Sequence, residues 1–178
     1  MIWFRIIKML RVFTVRKVEK GFKMTKKKRS LYNVDMTKKG KEKRTYNGEV
    51  YDSLTELNFL KEWILPKMES GEVLKYERQI PFILQEGFIR NGSKILPIKY
   101  VSDFIVYWKD GTRTIFDVKG QPDSLSKCKR KMFWKAYPNE DYIWMCRNIK
   151  FGDESHWLTY EELEQKRKAE KKSKLVNK

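Results

Sequence analysis

Histidine occurs once in this chain, at His156, and cysteine twice, at Cys128 and Cys146. A single histidine excludes an HExxH zinc enzyme and any nuclease built on two histidines, and it leaves a Ser-His-Asp triad only if His156 serves it. The two cysteines lack CxxC spacing, which argues against a disulfide framework and a four-cysteine zinc site; they read as ordinary thiols of a reducing cytoplasm. Runs of about 18 apolar residues are missing too, so neither a spanning helix nor stable membrane insertion is expected. The opening MIWFRIIKMLRVF is apolar, but Arg5, Lys8 and Arg11 interrupt it and no small-residue cleavage site follows, so it does not read as a signal peptide. Two readings of it stay open. It is a basic amphipathic helix that touches membrane or DNA phosphates, or it lies outside a working protein whose translation begins at Met24.

What is abundant is positive charge. The formal net charge is +17 over 178 residues, which points to a polyanionic partner. Its placement divides the chain. Residues 1–44 carry 16 Lys/Arg against 3 Asp/Glu, residues 161–178 carry 7 against 4, and residues 45–160 carry 17 against 16. The expectation is a mobile basic arm over 1–44, one folded domain over 45–158, and a charged C-terminal helix and tail over 159–178.

Inside the domain the period of the apolar residues changes several times. YDSLTELNFLKEWIL carries Leu54, Leu57, Phe59, Leu60, Trp63 and Ile64 at helical spacing, with Asp52 or Ser53 as cap and Pro66 as the stop or kink. Residues 73–84, 95–108 and 112–120 read as strands, with a turn at Asn91-Gly92 and a bend near Pro97. A second helix is expected over 123–138, capped by Asp123 or Ser124, then a strand over 141–146 and a final helix from about Thr159. Helix, three strands, helix, strand is an α/β order with a mixed central sheet flanked by helices. Trp134, Tyr137, Trp144 and Trp157 are expected in the core.

The stretch YVSDFIVYWKDGTRTIFDVKG places Asp103, Asp117 and Lys119 in otherwise apolar strands. A two-residue Asp110-Gly111 loop would put the two acids on opposite faces. A three-residue Lys109-Asp110-Gly111 loop, a type I turn with Gly111 left-handed, pairs Trp108 with Thr112 and sets Asp103 opposite Asp117. Opposed carboxylates repel, and a divalent cation reverses that sign, since Mg²⁺ binds through one or two carboxylates and waters. The sequence allows both loops; the three-residue loop is chosen on the hypothesis that a metal is bound.

Asp103, thirteen intervening residues and Asp117-Val118-Lys119 resemble the signature of the PD-(D/E)XK, or restriction-endonuclease-like, nuclease superfamily. Together with YDSLTELNFL, YERQIPFIL and SKCKRKMFWKAYP, the chain is similar over roughly residues 44–147 to a small phage and prophage group of nucleases related to Holliday junction resolvases. The proline of the signature is replaced by Ser102. The resemblance implies an αβββαβ core and Mg²⁺-dependent hydrolysis of DNA phosphodiester bonds, with Mn²⁺ as substitute. It implies Asp103, Asp117 and the Val118 carbonyl as metal ligands, Lys119 as the group that orients water or stabilises phosphate charge, and Glu56 as ligand to a second metal or holder of a water. For Glu56 a capping box, Ser53-x-x-Glu56, stands as the structural alternative. Gln79 is a candidate contact to an active-site group or DNA. On the second helix Lys127, Lys129, Arg130, Lys131 and Lys135 are candidate contacts to the DNA backbone, with a solvated helix face as the alternative. The expected function is a cytoplasmic endonuclease of a bacterial host cell that cuts branched or junction DNA in phage recombination or replication, with a homodimer as a candidate assembly. The alternative is a non-catalytic nucleic-acid binder that keeps the fold.

Overall fold

A computed structural model describes residues 34–176. The expected contacts of residues 1–33 with phosphates or membrane lie outside the described residues. The elements run α1 (Lys38–Lys43), β1 (Thr45–Tyr46), β2 (Glu49–Val50), α2 (Leu54–Phe59), a π-helical turn (Leu60–Ile64), α3 (Leu65–Glu69), β3 (Val73–Gln85), β4 (Phe88–Arg90), β5 (Ser93–Ile95), β6 (Ile98–Trp108), β7 (Arg113–Val118), α4 (Ser124–Ala136), β8 (Asp141–Arg147), β9 (Trp157–Thr159) and α5 (Tyr160–Val176). The fold is α/β. Its five-stranded sheet has the order β3-β6-β7-β8-β9, antiparallel except for the parallel pair β7–β8. β1–β2 and β4–β5 are separate two-stranded hairpins.

Three elements depart from the sequence expectation. Residues 38–43, assigned above to a mobile arm, form a helix capped by the Thr37 side chain. Arg44 behind it is buried, and its guanidinium donates to the Tyr51 carbonyl. The folded unit therefore starts ahead of residue 45. Pro66 neither ends nor breaks its helix. It follows a π turn in which the Leu65 amide reaches back to the Leu60 carbonyl; the widened turn makes room for a ring that has no N–H to donate. The helix ends three residues later at Glu69, with Ser70 as its C-cap and Gly71 beyond it at φ +75. The strand expected from residue 95 is divided at Pro97, so that β5 pairs with β4 around Asn91 and Gly92, both at positive φ.

Helices cover both faces of the sheet. On one, Leu57, Phe59, Leu60 and Ile64 of the α2 region pack on Phe104, Val106, Phe116 and Val118. Phe59 is fully buried, with ring centroids 4.9–5.6 Å from those of Trp63, Phe104, Phe116 and Trp157. On the other, Phe133 of α4 meets Phe82, Tyr100, Ile105, Ile115 and Tyr142. Trp144 and Trp157 are core residues and Tyr137 packs at the core's edge, as expected, but Trp134 is 46% exposed. α5 is anchored by Leu163 against Cys146 and Leu158, and Thr159 and Glu162 cap it reciprocally. Among the described residues no helix is long and apolar enough to cross a membrane.

The two faces exchange residues at one level of the sheet. Tyr76 packs on the α2 side and Ile80 and Phe82 on the α4 side, although all three are even-numbered on one strand. Gln79, at φ +54 between the pairs Arg78↔Phe104 and Ile80↔Ser102, reverses the alternation. β6 does the same across from it, with Tyr100 on the α4 side and Phe104 on the α2 side. Strict strand alternation forbids this. A non-glycine residue at positive φ costs about 1 kcal/mol or more, and that cost falls beside Asp103.

Candidate active site

The register that sets the site comes from the β6–β7 turn. Trp108 N–H donates to the Thr112 carbonyl at 2.9 Å, Gly111 N–H donates to the Trp108 carbonyl at 3.1 Å, and Gly111 has φ +84. The Asp110 carboxylate fixes the turn by accepting from the Thr112 amide and hydroxyl. This is the three-residue loop. Pairing then runs from Tyr107↔Arg113 to Phe104↔Phe116, and one further step places Asp103 opposite Asp117. The ladder stops there. The Val118 amide, next in line toward β6, donates to Asp103 Oδ2 at 2.7 Å, while the Lys119 amide on the other edge bonds to the Met145 carbonyl of β8. A side chain thus takes a main-chain position in the sheet, and the strands part around it.

Asp117 is 2% exposed and both its oxygens are engaged. Lys119 Nζ lies 2.9 Å from Oδ1 and Tyr142 Oη 3.1 Å from Oδ2. Trp144 Nε1 donates to Tyr142 Oη at 2.6 Å. An indole N–H can only donate, so the single phenolic proton of Tyr142 points at Asp117. Burial first, and then the negative Asp117, raises the pKa of both Tyr142 and Tyr100, so both phenols stay protonated beside the acid.

Asp103 is held well above the usual carboxylate range, by burial first, then by Asp117 and Glu56. Lys119 responds in the other direction. Burial works against its charge, but Asp117, Asp103 and Glu56 outweigh it and its pKa rises. Glu56 belongs to the same electrostatic group although it comes from α2. Its amide bonds to Ser53 Oγ at 3.1 Å, and its Oε1 accepts from that hydroxyl at 2.8 Å. The N-cap arrangement and the site position therefore coexist. Glu56 is buried, its Oε2 has no hydrogen-bond partner, and burial raises its pKa.

Gln79 stands across from Asp103 on β3, exposed at its bend. α4 begins beside Lys119, whose charge helps to lower the pKa of the Asp123 cap, after that carboxylate's bonds to Ser126. Lys127, Lys131 and Lys135 are exposed along α4, and Lys129 Nζ is tied to the Lys99 carbonyl at 2.9 Å. Arg130 is a correction. It is 8% exposed, pairs with Glu161 of α5 at 2.5 Å, and lies 4.3 Å from the Trp144 ring and 4.5 Å from the Trp134 ring. It joins α4 to α5 and is not presented to a partner. Helical spacing could not separate it from its neighbours, because a charged residue at a core-facing position is legible only from what it meets. Tyr142 and Arg78 were missed for a related reason. Each reads as an ordinary strand residue until the neighbouring strand is known.

Among the described residues no three His, Cys, Asp or Glu side chains converge to hold a metal by themselves. The donors that do meet are all oxygen: the opposed Asp103 and Asp117 and, next to them, the Val118 carbonyl. This set fits a hard divalent cation that keeps several waters and does not fit one that needs nitrogen or sulfur.

Over residues 36–153 the chain matches the family described as Protein of unknown function (DUF1064). It belongs to that family. The matched range starts just ahead of α1 and ends before β9, so it includes Glu56, Gln79, Asp103, Asp117, Lys119 and α4 and leaves out α5. No curated protein matches the chain.

Proposed function

We propose that this chain is a metal-dependent endodeoxyribonuclease of PD-(D/E)XK type, with a restriction-endonuclease-like αβββαβ core, acting on branched or junction DNA. The observation that carries the reading is the register: two acids opposed across adjacent strands, with Lys119 paired to one of them, in a chain of net charge +17. An acid pair that raises the cost of its own ionisation has no structural use, and this counts against the alternative of a non-catalytic binder.

In this reading Asp103, Asp117 and the Val118 carbonyl hold Mg²⁺ or Mn²⁺. Such an ion, when bound, supplies electrophilic stabilisation of the scissile phosphate and an acidified water. Tyr142 fixes the rotamer of Asp117 through Oδ2, as outer hydrogen bonds do for ligating carboxylates. Lys119 Nζ is placed to donate to phosphate oxygen as negative charge develops there. Glu56 Oε2, unpaired and with a raised pKa, is suited to accept a proton from the attacking water. The exposed α4 lysines carry backbone contacts without reading bases. A homodimer is the simplest way for a chain with one such site to cut both strands.

The test is cleavage of labelled four-way junction, nicked duplex, linear duplex and single-stranded DNA in Mg²⁺, Mn²⁺ or EDTA. Metal-dependent cutting that disappears in Asp117→Asn and Lys119→Ala supports the reading, and the preferred substrate names the class. Binding without cutting in either metal rejects it in favour of the non-catalytic binder.

A further inference from the structure

Beside the acid group, on the α2 face, the β1–β2 hairpin and β3 border an open pocket of about 360 Å³ lined by Tyr46, Asn47, Glu49, Tyr51, Tyr76 and Arg78. That volume falls within roughly the 300–1,000 Å³ of sites for small ligands. Arg78 lines it. Its guanidinium carbon is 3.5 Å from the Tyr51 ring centroid and 5.9 Å from that of Phe104, and only 12% of its side chain is exposed. Its Nε is buried with no hydrogen-bond partner. Nη1 is paired at 2.7 Å with Glu49 Oε2.

The two members of that ion pair are not equivalent. Arg78 is fixed between aromatic rings, whereas Glu49 is 68% exposed on a two-residue Asn47-Gly48 turn. An ion pair with one partner so exposed is worth about 0–1 kcal/mol, so a stronger anion can displace the carboxylate. Glu49 marks where an anionic oxygen sits at Nη1, and Nη2 beside it gives a second donor at the same end of the planar group. That fork suits a phosphate. Around it the rings of Tyr46 and Tyr76 offer apolar faces, and Lys61, 4.9 Å from the Tyr46 ring centroid, adds a second cation at the rim. Arg78 also lowers the pKa of Glu56, after burial, Ser53 and Asp52 have acted on it, so pocket and acid group are electrostatic neighbours.

We propose that this pocket is a subsite for one unpaired nucleotide of a DNA strand, with its phosphate on Arg78 and its base against a tyrosine ring. The subsite deepens the nuclease reading and rests on it for the identity of the strand. It would make the enzyme prefer strands that leave the duplex, since a paired and stacked base cannot turn its face onto a tyrosine ring. Base–aromatic stacking is indifferent to sequence, so the selection would be for unpaired structure.

The experiment is fluorescence anisotropy of the full chain with labelled oligo-dT and a blunt duplex of equal length, in EDTA so that no cutting occurs. Arg78→Lys keeps the charge and most of the packing but loses the fork, and Tyr46→Ala removes a partly buried ring at the edge of the α2-side core, so circular dichroism checks that the fold is kept. Each is expected to weaken oligo-dT binding by about tenfold with little change for duplex, and Glu49→Gln is expected to strengthen it by about threefold. Free dTMP is the competitor that separates sources. If it displaces oligo-dT as well as an equal concentration of unlabelled strand does, the ligand is a free nucleotide and the strand assignment is wrong. Unchanged oligo-dT affinity in both Arg78→Lys and Tyr46→Ala, or no binding of oligo-dT by the wild type, overturns the subsite. Loss of binding in the variants combined with no cleavage in Mg²⁺ or Mn²⁺ would retain the subsite while rejecting the nuclease.

Discussion

Glu62 and Asp103 are both carboxylates next to aromatic rings, and they have opposite surroundings. Glu62 accepts from Arg147 Nε at 2.8 Å and Nη2 at 3.0 Å and from Trp157 Nε1 at 3.0 Å. Those bonds, Arg147 foremost, lower its pKa. Asp103 accepts one main-chain bond, faces a second acid, and is pushed well above the carboxylate range by burial and by that acid. A carboxylate used for structure is given donors to match its oxygens. Asp103 is left short of them, with Lys119 supplying a single compensating cation to its neighbour Asp117. Under the proposed nuclease function, that difference separates a carboxylate held for structure from one available to a cation.

The largest effect should come from breaking the acid group. Asp117→Asn and Lys119→Ala are each expected to reduce cleavage at saturating metal by 10²-fold or more, on the order of 3 kcal/mol of transition-state stabilisation. Circular dichroism checks that the fold is kept. Tyr142→Phe should act on the site through Asp117, and it also leaves the buried Trp144 Nε1 without its acceptor. Metal affinity is expected to fall about 10-fold or more with a smaller change in turnover at saturating metal, measured by Mn²⁺ titration of activity. Equal metal dependence in wild type and Tyr142→Phe would show that the phenol is only a core residue.

Stability should respond in opposite senses at the two carboxylates. Without metal, Asp103→Asn keeps the Val118 bond and removes a buried charge, so it should stabilise by about 1–2 kcal/mol at neutral pH, read from urea melts. Glu62→Gln should destabilise by about 1 kcal/mol. The pH profiles separate them further. The raised pKa of Asp103 means that the folded state binds the extra proton. Its protonated form is therefore favoured at low pH, and stability is lost as pH rises from the ordinary carboxylate pKa to the raised one. The lowered pKa of Glu62 contributes stability above the ordinary value, and that stability is lost as pH falls through the depressed one. Asp103→Asn should flatten the first limb and Glu62→Gln the second.

The smallest effect concerns α4. Lys131→Ala and Lys135→Ala should each reduce the slope of log affinity against log salt by about 1 for DNA, with no loss of stability. Arg130→Ala should leave that slope unchanged and lower stability by about 2 kcal/mol, because it empties the space between Trp144 and Trp134 and leaves Glu161 unpaired.

What could be read from the sequence was what depends on local pattern. Asp110-Gly111 between apolar alternations locates the turn, but the sequence allows a two- or a three-residue loop, and only the metal hypothesis selects the one that sets Asp103 against Asp117. Ser53, Asp123 and Thr159 cap helices as their side chains require. What could not be read depends on meetings between distant segments. Gln79 looks like a regular strand position, and only the exchange of core faces explains its positive φ. Arg130 and the lysines around it are the same residue class, and the aromatic floor beneath Arg130 distinguishes it. Tyr142 acquires a proton direction only once Trp144 lies on one side of it and Asp117 on the other. Pro66 reads as a stop because a π turn has no local signature in the sequence.

The most direct test of a cation site at the opposed acids is the melting temperature of the metal-free protein, with and without millimolar Mg²⁺ or Mn²⁺, beside Asp103→Asn and Glu62→Gln. A cation that binds the folded state stabilises by RT ln(1 + [L]/Kd), roughly 1–3 kcal/mol at 10–100 times Kd. Wild type and Glu62→Gln are expected to gain several degrees, and Asp103→Asn to start higher and gain almost nothing. Equal gains in all three proteins, or none in the wild type, would contradict the assignment of Asp103 and Asp117 to a metal.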